Sequence, residues 1–373
     1  MAELRKDVYN KAFFLQFCEK VKNVYPAFDE QLFMTLLLDE GWEQRELKQR
    51  TRHISITLRA TLPPSYPDAI VVLSQLVPEC KGFEYFFFPD FIEVYGLTDW
   101  ETSIEALKLF TLTSSAEFAV RPFIEQDPKR MMAIMEEWST DENEHVRRLA
   151  SEGCRPRLPW APALTMFKID PAPIIRILEL LKADDSEYVR KSVANNLNDI
   201  TKDHPELVKS LGKSWLGQNP KTDWIIKHAC RTLLRQADPT TLALFGFDHA
   251  PTVELKDFNL STNQIAIGDA FKFKFTFANP TTDATKLRIE YGIDFMKANG
   301  ITRRKLFKIT ENTYLHGEHT YTRSHSFKQL STRKHYVGKH RIAIVINGVE
   351  MAGIDFLLKE EEKQTISGVV NNI

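Results

Sequence analysis

A chain of 373 residues suggests two or three domains at roughly 100–200 residues each. With 43% apolar and 27% charged residues it has the balance of an ordinary globular protein, and it is long enough to build a core without metal or disulfide. Its 49 Lys and Arg against 50 Asp and Glu leave a net charge of −1, which excludes a histone-like polycation while leaving room for local patches.

The first segment, MAELRKDVYNK, is charged and has no apolar h-region, so no signal peptide is expected. Up to about Phe247 the pattern is helical, with apolar residues at three- and four-residue steps, as in Phe33-x-x-Leu36-Leu37 and Ile174-x-x-Ile177-Leu178-x-x-Leu181. Prolines punctuate the joints, among them Pro128, Pro173, Pro205 and Pro220. Glu144-His-Val-Arg-Arg-Leu-Ala-Ser superposes on Glu187-Tyr-Val-Arg-Lys-Ser-Val-Ala at a shift of 43. The second superposes on Trp224-Ile-Ile-Lys-His-Ala-Cys-Arg at a shift of 37. Each follows a proline-opened apolar helix and an acidic or polar turn: STDENE, KADDSE and GQNPKTD. Asp and Asn in such turns are expected to cap the second helix of each pair. Helix pairs repeating near 40 residues predict a solenoid of HEAT-like repeats with one continuous core and a concave surface.

After Pro251 the texture becomes that of strands. Phe271-Lys-Phe-Lys-Phe-Thr-Phe277 alternates strictly, and Arg288-Ile-Glu-Tyr-Gly-Ile and Arg341-Ile-Ala-Ile-Val-Ile follow suit. Turn signals stand between them at Gly268-Asp269, Asn279-Pro280, Asn299-Gly300, Gly317, Gly338 and Asn347-Gly348. The fold class expected is mainly α: an α-α superhelix of HEAT-like repeats over residues 1–248, then an immunoglobulin-like β-sandwich over 252–358. A polar tail follows over 359–373.

Charge divides along the same line. Residues 268–345 hold 15 Lys and Arg against 6 Asp and Glu, a net +9, so the remainder carries −10. A basic β module beside an acidic helical body points to a polyanion, or simply to solvated strand faces. In the helical half the second helices of the pairs carry Arg147-Arg148, Arg190-Lys191, Lys227 and Arg231. These cations either line a groove for a nucleic-acid backbone or serve as surface charges typical of such repeats.

Three segments do not suit a plain scaffold. Glu117 lies in a small, apolar stretch that reads as helix, Ser114-Ser-Ala-Glu-Phe-Ala-Val-Arg-Pro122. In Ser192-Val-Ala-Asn-Asn-Leu-Asn-Asp-Ile200 three amides and Asp199 end a helix that otherwise reads as core. Between them Ser151-Glu-Gly-Cys-Arg-Pro-Arg-Leu-Pro-Trp-Ala-Pro162 reads as a rigid loop presenting Arg155, Arg157 and Trp160. Carboxylates can stabilise a developing oxocarbenium ion and orient water, a Trp face suits a cationic base, and arginines can hold phosphates. The plainer alternatives are a Glu117–Arg121 pair at i, i+4, a helix-capping or turn-bonding Asp199, and Trp160 as a core plug.

Residues 113–123, the 151–161 loop and the 194–199 helix end, together with Phe87-Phe-Pro-Asp-Phe91, resemble the AlkC branch of the HEAT-like-repeat DNA alkylation repair glycosylases. The resemblance covers most of residues 1–248, and the basic β half fits the immunoglobulin-like domain that some members carry. It implies a monofunctional hydrolase that removes cationic alkylated bases, 3-methyladenine above all and also 3-methylcytosine, from duplex DNA without flipping them. By the same resemblance Glu117 and Asp199 become the catalytic carboxylates and Trp160 the aromatic at the lesion. Arg148, Arg155 and Arg157 become contacts to phosphate or the lesion strand. From charge and family architecture, Arg303, Arg304 and Lys305 would clamp the duplex from the β module. No cofactor and no metal are implied.

The alternative is a non-catalytic HEAT-repeat adaptor that binds nucleic acid or protein. Cys18, Cys80, Cys154 and Cys230 form no CxxC pair, which argues against a disulfide framework and a structural zinc site. Walker A, GxGxxG, HExxH and GxSxG motifs are missing. No apolar run reaches the ~18 residues of a membrane span. The expectation is a cytoplasmic monomer whose partner is alkylated double-stranded DNA.

Overall fold

The computed structural model describes residues 5–247, 252–329 and 334–360. By packing, the chain divides into two units, Met1–Cys230 and Arg231–Ile373. The joint at Ala250-Pro251 and residues 361–373 of the expected tail lie outside the described residues.

The first unit is helical. Its N-terminal part is built on an aromatic cluster in which Phe17, Phe87 and Phe88 meet at ring-centroid distances of 5.2 to 6.2 Å. The expected pairs follow: Pro128–Trp138 with Glu144–Gly153, Ala172–Leu181 with Glu187–Ile200, and Pro205–Trp215 with Pro220–Ala229. Proline stands in the first turn of Pro128–Trp138, Ala172–Leu181, Pro205–Trp215 and Pro220–Ala229, where its missing N–H costs nothing. Asn143 and Asn219 cap their helices through the side chain, as expected of the polar turns. At the middle pair the cap is Ser186, whose side chain makes no such bond; Asp184 accepts from the Ser186 N–H instead.

The second helices pack side by side, with Glu187–Ile200 between the other two. Amides stitch them together. Asn196 Nδ2 donates to the Ser151 carbonyl at 2.7 Å, and Asn198 Nδ2 to the Ala229 carbonyl at 2.7 Å. Both carbonyls lie near helix ends, where no intrahelical donor remains. The polar run that ends the Glu187–Ile200 helix is therefore partly a fastening between repeats.

The second unit holds two sheets. One has the order β1(Glu254–Leu260), β3(Ala270–Asn279), β6(Gly317–Ser326). The other runs β2(Gln264–Ala266), β8(Val349–Lys359), β7(Gly338–Ile346), β4(Thr285–Met296), β5(Thr302–Tyr314). β2 and β8 pair in parallel and every other pair is antiparallel. Strand β8 runs on through Lys359, where the polar tail was expected to begin. On β3 Phe271, Phe273, Phe275 and Phe277 are buried while Lys272 and Lys274 are exposed, as the alternation requires. These rings face Ile289 and Ile293 on β4, Ile342, Ile344 and Ile346 on β7, and Phe356 on β8.

The helices Arg231–Arg235 and Pro239–Leu244 pack with the strands of this unit. Lys286 Nζ donates to the Phe245 carbonyl at 2.8 Å. The β7–β8 hairpin closes on Asn347 (φ +47°) and Gly348 (φ +81°), the two left-handed residues of a type I′ turn. A Cβ at Gly348 would come within 2.8 Å of Ala237 Cβ and 2.9 Å of Leu242 Cδ1, so the glycine is required both by the turn and by the helical segment against it.

Candidate active site

The structure puts Glu117 in the turn that precedes the helix Val120–Gln126, not within a helix as the apolar pattern predicts. Its expected i, i+4 partner is employed elsewhere. Arg121 is buried and donates to the carbonyls of Gly153, Arg155 and Pro162 at 3.0, 2.9 and 2.5 Å. It thus clamps both legs of the 154–164 loop from beneath. Burial holds its guanidinium below the usual arginine value; the three carbonyls accept from Nη1 and Nη2, while the buried Nε has no hydrogen-bond partner.

Glu117 turns instead to Arg148, whose Nη1 lies 2.5 Å from Oε2. Ser115 Oγ donates to the same carboxylate oxygen at 2.9 Å and accepts from Arg148 Nη1 at 2.7 Å. Arg148 Nη2 reaches Glu152 Oε1 at 3.6 Å, and Arg155 Nη1 meets that oxygen at 2.6 Å. Arg155 Nε continues to Asp199 Oδ2 at 2.9 Å, and Lys202 Nζ closes on Asp199 Oδ1 at 3.0 Å. The two carboxylates expected to be catalytic are thereby joined in one ribbon of alternating charge, Glu117–Arg148–Glu152–Arg155–Asp199–Lys202. Asp199 is only 3% exposed, so Arg155 and Lys202 supply the hydrogen bonds that water would otherwise give its carboxylate. Burial opposes the charge on Arg148 and Arg155, but the flanking carboxylates outweigh it and raise both above the ordinary arginine value.

Glu152, the middle of the ribbon, is missing from the residues expected from sequence. Its other oxygen accepts from Ser192 Oγ at 2.6 Å. The signal for it was present: Glu152 stands four residues after Arg148 and three before Arg155, both side-chain contact spacings on a helix. Tyr188 was missed as well. Its half-exposed ring lies 5.0 Å from the Arg148 guanidinium.

Trp160 is no core plug. It is 62% exposed and sits at the third position of a turn closed by Ala161 N–H donating to the Leu158 carbonyl at 3.2 Å. Pro159 takes the second position. The third requires positive φ, and Trp160 adopts φ +66°, a place that Gly or Asn would ordinarily fill. The chain accepts strain to present an indole.

The arginines of the loop are committed inside the protein. Arg155 is buried in the ribbon, and Arg157 forms a two-pronged pair with Asp203, Nε to Oδ2 at 3.1 Å and Nη2 to Oδ1 at 2.6 Å. The Arg157 hydrogen bonds hold the Asp203 carboxyl below the ordinary aspartate value. Arg190 donates to the carbonyls of Asp184 and Asp185, each at 2.8 Å. Lys191 is an exposed partner of Glu187 at 2.8 Å, and Lys227 is half-buried on Pro220–Ala229. Arg231 opens the helical segment of the second unit.

In that unit Arg303, Arg304 and Lys305 lie at the start of β5. Arg304 pairs with Asp294 at 2.8 Å and Glu350 at 2.5 Å. All three line a basic cleft of about 280 Å³ with Phe295, Lys297, Lys334 and His335.

The four cysteines are buried, and burial pushes the Cys154 thiol up to about 12. Among the described residues no helix is long and apolar enough to cross a membrane.

A helical-repeat unit with a paired-carboxylate site, joined to an immunoglobulin-like sandwich, matches known proteins over its length. The family described as DNA alkylation repair enzyme matches residues 108–233, and that of the C-terminal Ig-like domain of YhaZ matches residues 254–360. YhaZ of Bacillus subtilis is 47% identical over 357 residues, 95% of this chain and 99% of its own. The alkylpurine DNA glycosylase AlkC of Pseudomonas fluorescens, solved bound to DNA containing an abasic-site analogue, superposes with a TM-score of 0.93 at 38% identity. That match covers 96% of this chain and all of the other. The chain belongs to the AlkC branch of the HEAT-like-repeat DNA alkylation repair proteins, in the form that carries a C-terminal immunoglobulin-like domain.

Proposed function

We propose that this protein is a monofunctional DNA glycosylase that hydrolyses the N-glycosidic bond of cationic alkylated bases in duplex DNA, 3-methyladenine first and 3-methylcytosine among the alternatives, without flipping the base. The observation that carries this reading is the ribbon joining Glu117 and Asp199 beside the presented Trp160. The full-length likeness to AlkC supports it.

The chemistry follows from the substrate. An alkylated base already bears a positive charge, so the electrons of the breaking C1′–N bond neutralise it and no general acid is needed. The sugar left behind is an oxocarbenium-like cation. The carboxylates stabilise that charge and hold a water, which attacks C1′ and gives its proton to a carboxylate, which returns it to solvent. Both protein contacts of Glu117 noted above fall on Oε2. Lys202, the partner of Asp199 Oδ1, is partly exposed and free to move as the duplex arrives, baring that oxygen. Trp160 packs its face against the lesion nucleotide, where a cationic base gains from the indole quadrupole. Exposed cations of the helical unit and the Arg303 and Lys305 region of the β unit hold the backbone. The enzyme acts as a monomer in the cytoplasm.

The test is base release from duplex DNA methylated at purine N3, with freed bases identified by mass. Wild type is expected to release 3-methyladenine, and Glu117→Gln and Asp199→Asn to lose it. Binding without release would return both carboxylates to structural roles and favour a repeat-protein adaptor. Borohydride is expected to trap no covalent adduct, because hydrolysis by water needs no amine nucleophile.

A further inference from the structure

We infer that Lys48 is a positioning residue of this site, which fastens the Trp160 turn to the Glu117 turn and so sets the aromatic face relative to the carboxylate; the inference rests on the glycosylase reading above.

Lys48 lies in the first turn of the helix Leu47–Thr61, far in sequence from everything it touches. Its Nζ donates to the Trp160 carbonyl at 2.7 Å. The same ammonium stands 4.4 Å from the centre of the Phe118 ring. Phe118 directly follows Glu117, and its ring meets Phe86 edge-on at 6.3 Å. One cation therefore holds the backbone of the strained tryptophan and, through Phe118, the turn that carries the carboxylate. The three residues share a narrow cleft with Pro89, Asp90 and Glu93.

The need for such a fastening is visible in the loop. Arg121 holds the legs through the carbonyls of Gly153, Arg155 and Pro162. The tip lies beyond its reach, and there Trp160 keeps a positive φ that an unsupported Trp relaxes away from. A hydrogen bond to the carbonyl of the strained residue fixes the orientation of that peptide, and with it the direction of the indole. Burial does not orient the ring, since most of it is exposed.

Positional errors near a reacting centre are costly: a displacement of about 1 Å can lower a rate by about a hundredfold. Removing the ammonium while keeping the aliphatic stem is therefore expected to act on turnover, not on affinity.

The experiment uses the full chain labelled with 5-fluorotryptophan. The Trp160 fluorine resonance is assigned by its loss in Trp160→Phe. In Lys48→Met that resonance is expected to shift or broaden while those of the other tryptophans stay in place. In single-turnover assays on 3-methyladenine duplex the rate is expected to fall about tenfold or more, with the dissociation constant for undamaged duplex changed less than about twofold. Lys48→Arg, which can still donate to the carbonyl and stack on Phe118, is expected to restore most of the rate. An unmoved Trp160 resonance overturns the inference. So does a loss confined to DNA affinity, which would make Lys48 a phosphate contact. If wild type releases no base, the glycosylase reading fails, yet the fluorine spectra still decide whether Lys48 orients Trp160.

Discussion

Arg155 Nε lies 2.9 Å from Asp199 Oδ2, and both side chains are buried, so this arginine spends its charge inside the protein. Arg155→Gln is expected to leave Asp199 and Glu152 without their shared cation, at a stability cost of about 3–5 kcal/mol. Chemical denaturation measures it. The salt slope of DNA binding should stay as in wild type; a slope reduced by about one would show that Arg155 contacts a phosphate after all.

Asp199→Asn is nearly isosteric but not electrically neutral. It removes the charge that holds Arg155 and Lys202, so alongside lost base release a destabilisation of about 1–3 kcal/mol is expected. Measuring melting beside single-turnover rates separates the effects. A variant that melts like wild type yet fails to turn over would confine the role of Asp199 to chemistry.

Arg190 and Lys191 are neighbours with opposite expected phenotypes. Arg190 clasps the carbonyls of Asp184 and Asp185, so Arg190→Ala should lower the melting temperature and leave the salt slope alone. Lys191 is exposed beside Glu187, and Lys191→Gln should barely change stability. If Lys191 meets the backbone, its loss weakens duplex binding and lowers the salt slope by about one.

The β unit allows the same division. Arg304 is locked between Asp294 and Glu350, so Arg304→Gln should destabilise the sheet. The double substitution of Arg303→Gln with Lys305→Gln should instead reduce duplex affinity and lower the salt slope by about two. Unchanged affinity at low salt would remove this edge from the DNA interface.

His340 supplies a pH signature. Its ring is buried, with Nε2 accepting from the Met296 N–H at 3.3 Å and Nδ1 donating to the Gly338 carbonyl at 3.0 Å. Burial holds its pKa below the ordinary 6.5. The unfolded chain therefore takes up the proton first. Stability is full above pH 6.5 and falls as pH drops below it, by at most about 1.4 kcal/mol per pH unit for this one group. His340→Gln should flatten that part of the melting curve between pH 7 and 5. Parallel curves for wild type and variant would assign the slope to another group.

Much of the fold was legible because its signals are local. Four phenylalanines at period two announce a half-buried strand, Asn347-Gly348 announces a tight hairpin, and prolines mark helix starts. The site was legible only as residue types. Nothing in the sequence says that Arg121 turns to three loop carbonyls instead of to Glu117, because that choice is made by a loop some 30 to 40 residues away. The repeat arginines are ambiguous in sequence for a related reason. Arg147 and Arg190, 43 positions apart, do the same work: each reaches back with Nη1 to two carbonyls of the acidic turn before its helix. Their recurrence reads from sequence either as a row of cations facing a ligand or as surface charges typical of such repeats; in the structure it makes a recurring helix-entry clasp. Trp160 was found as an aromatic in a rigid loop, but its backbone strain is visible only in coordinates.

The ribbon from Glu117 to Lys202 has three negative and three positive side chains, so it is neutral as a whole. A bare pair of carboxylates would push away an approaching polyanion. With each carboxylate matched to a cation, the ribbon itself adds no net charge that would repel a polyanion at a distance. The local field does not vanish. A positive charge that appears suddenly within a few ångströms of Glu117 or Asp199 still meets an oxygen lone pair at close range. Such a ribbon adds little charge at a distance and is sensitive to charge on contact, which is what the proposed reaction requires to set apart a nucleotide whose sugar is becoming a cation from its many ordinary neighbours.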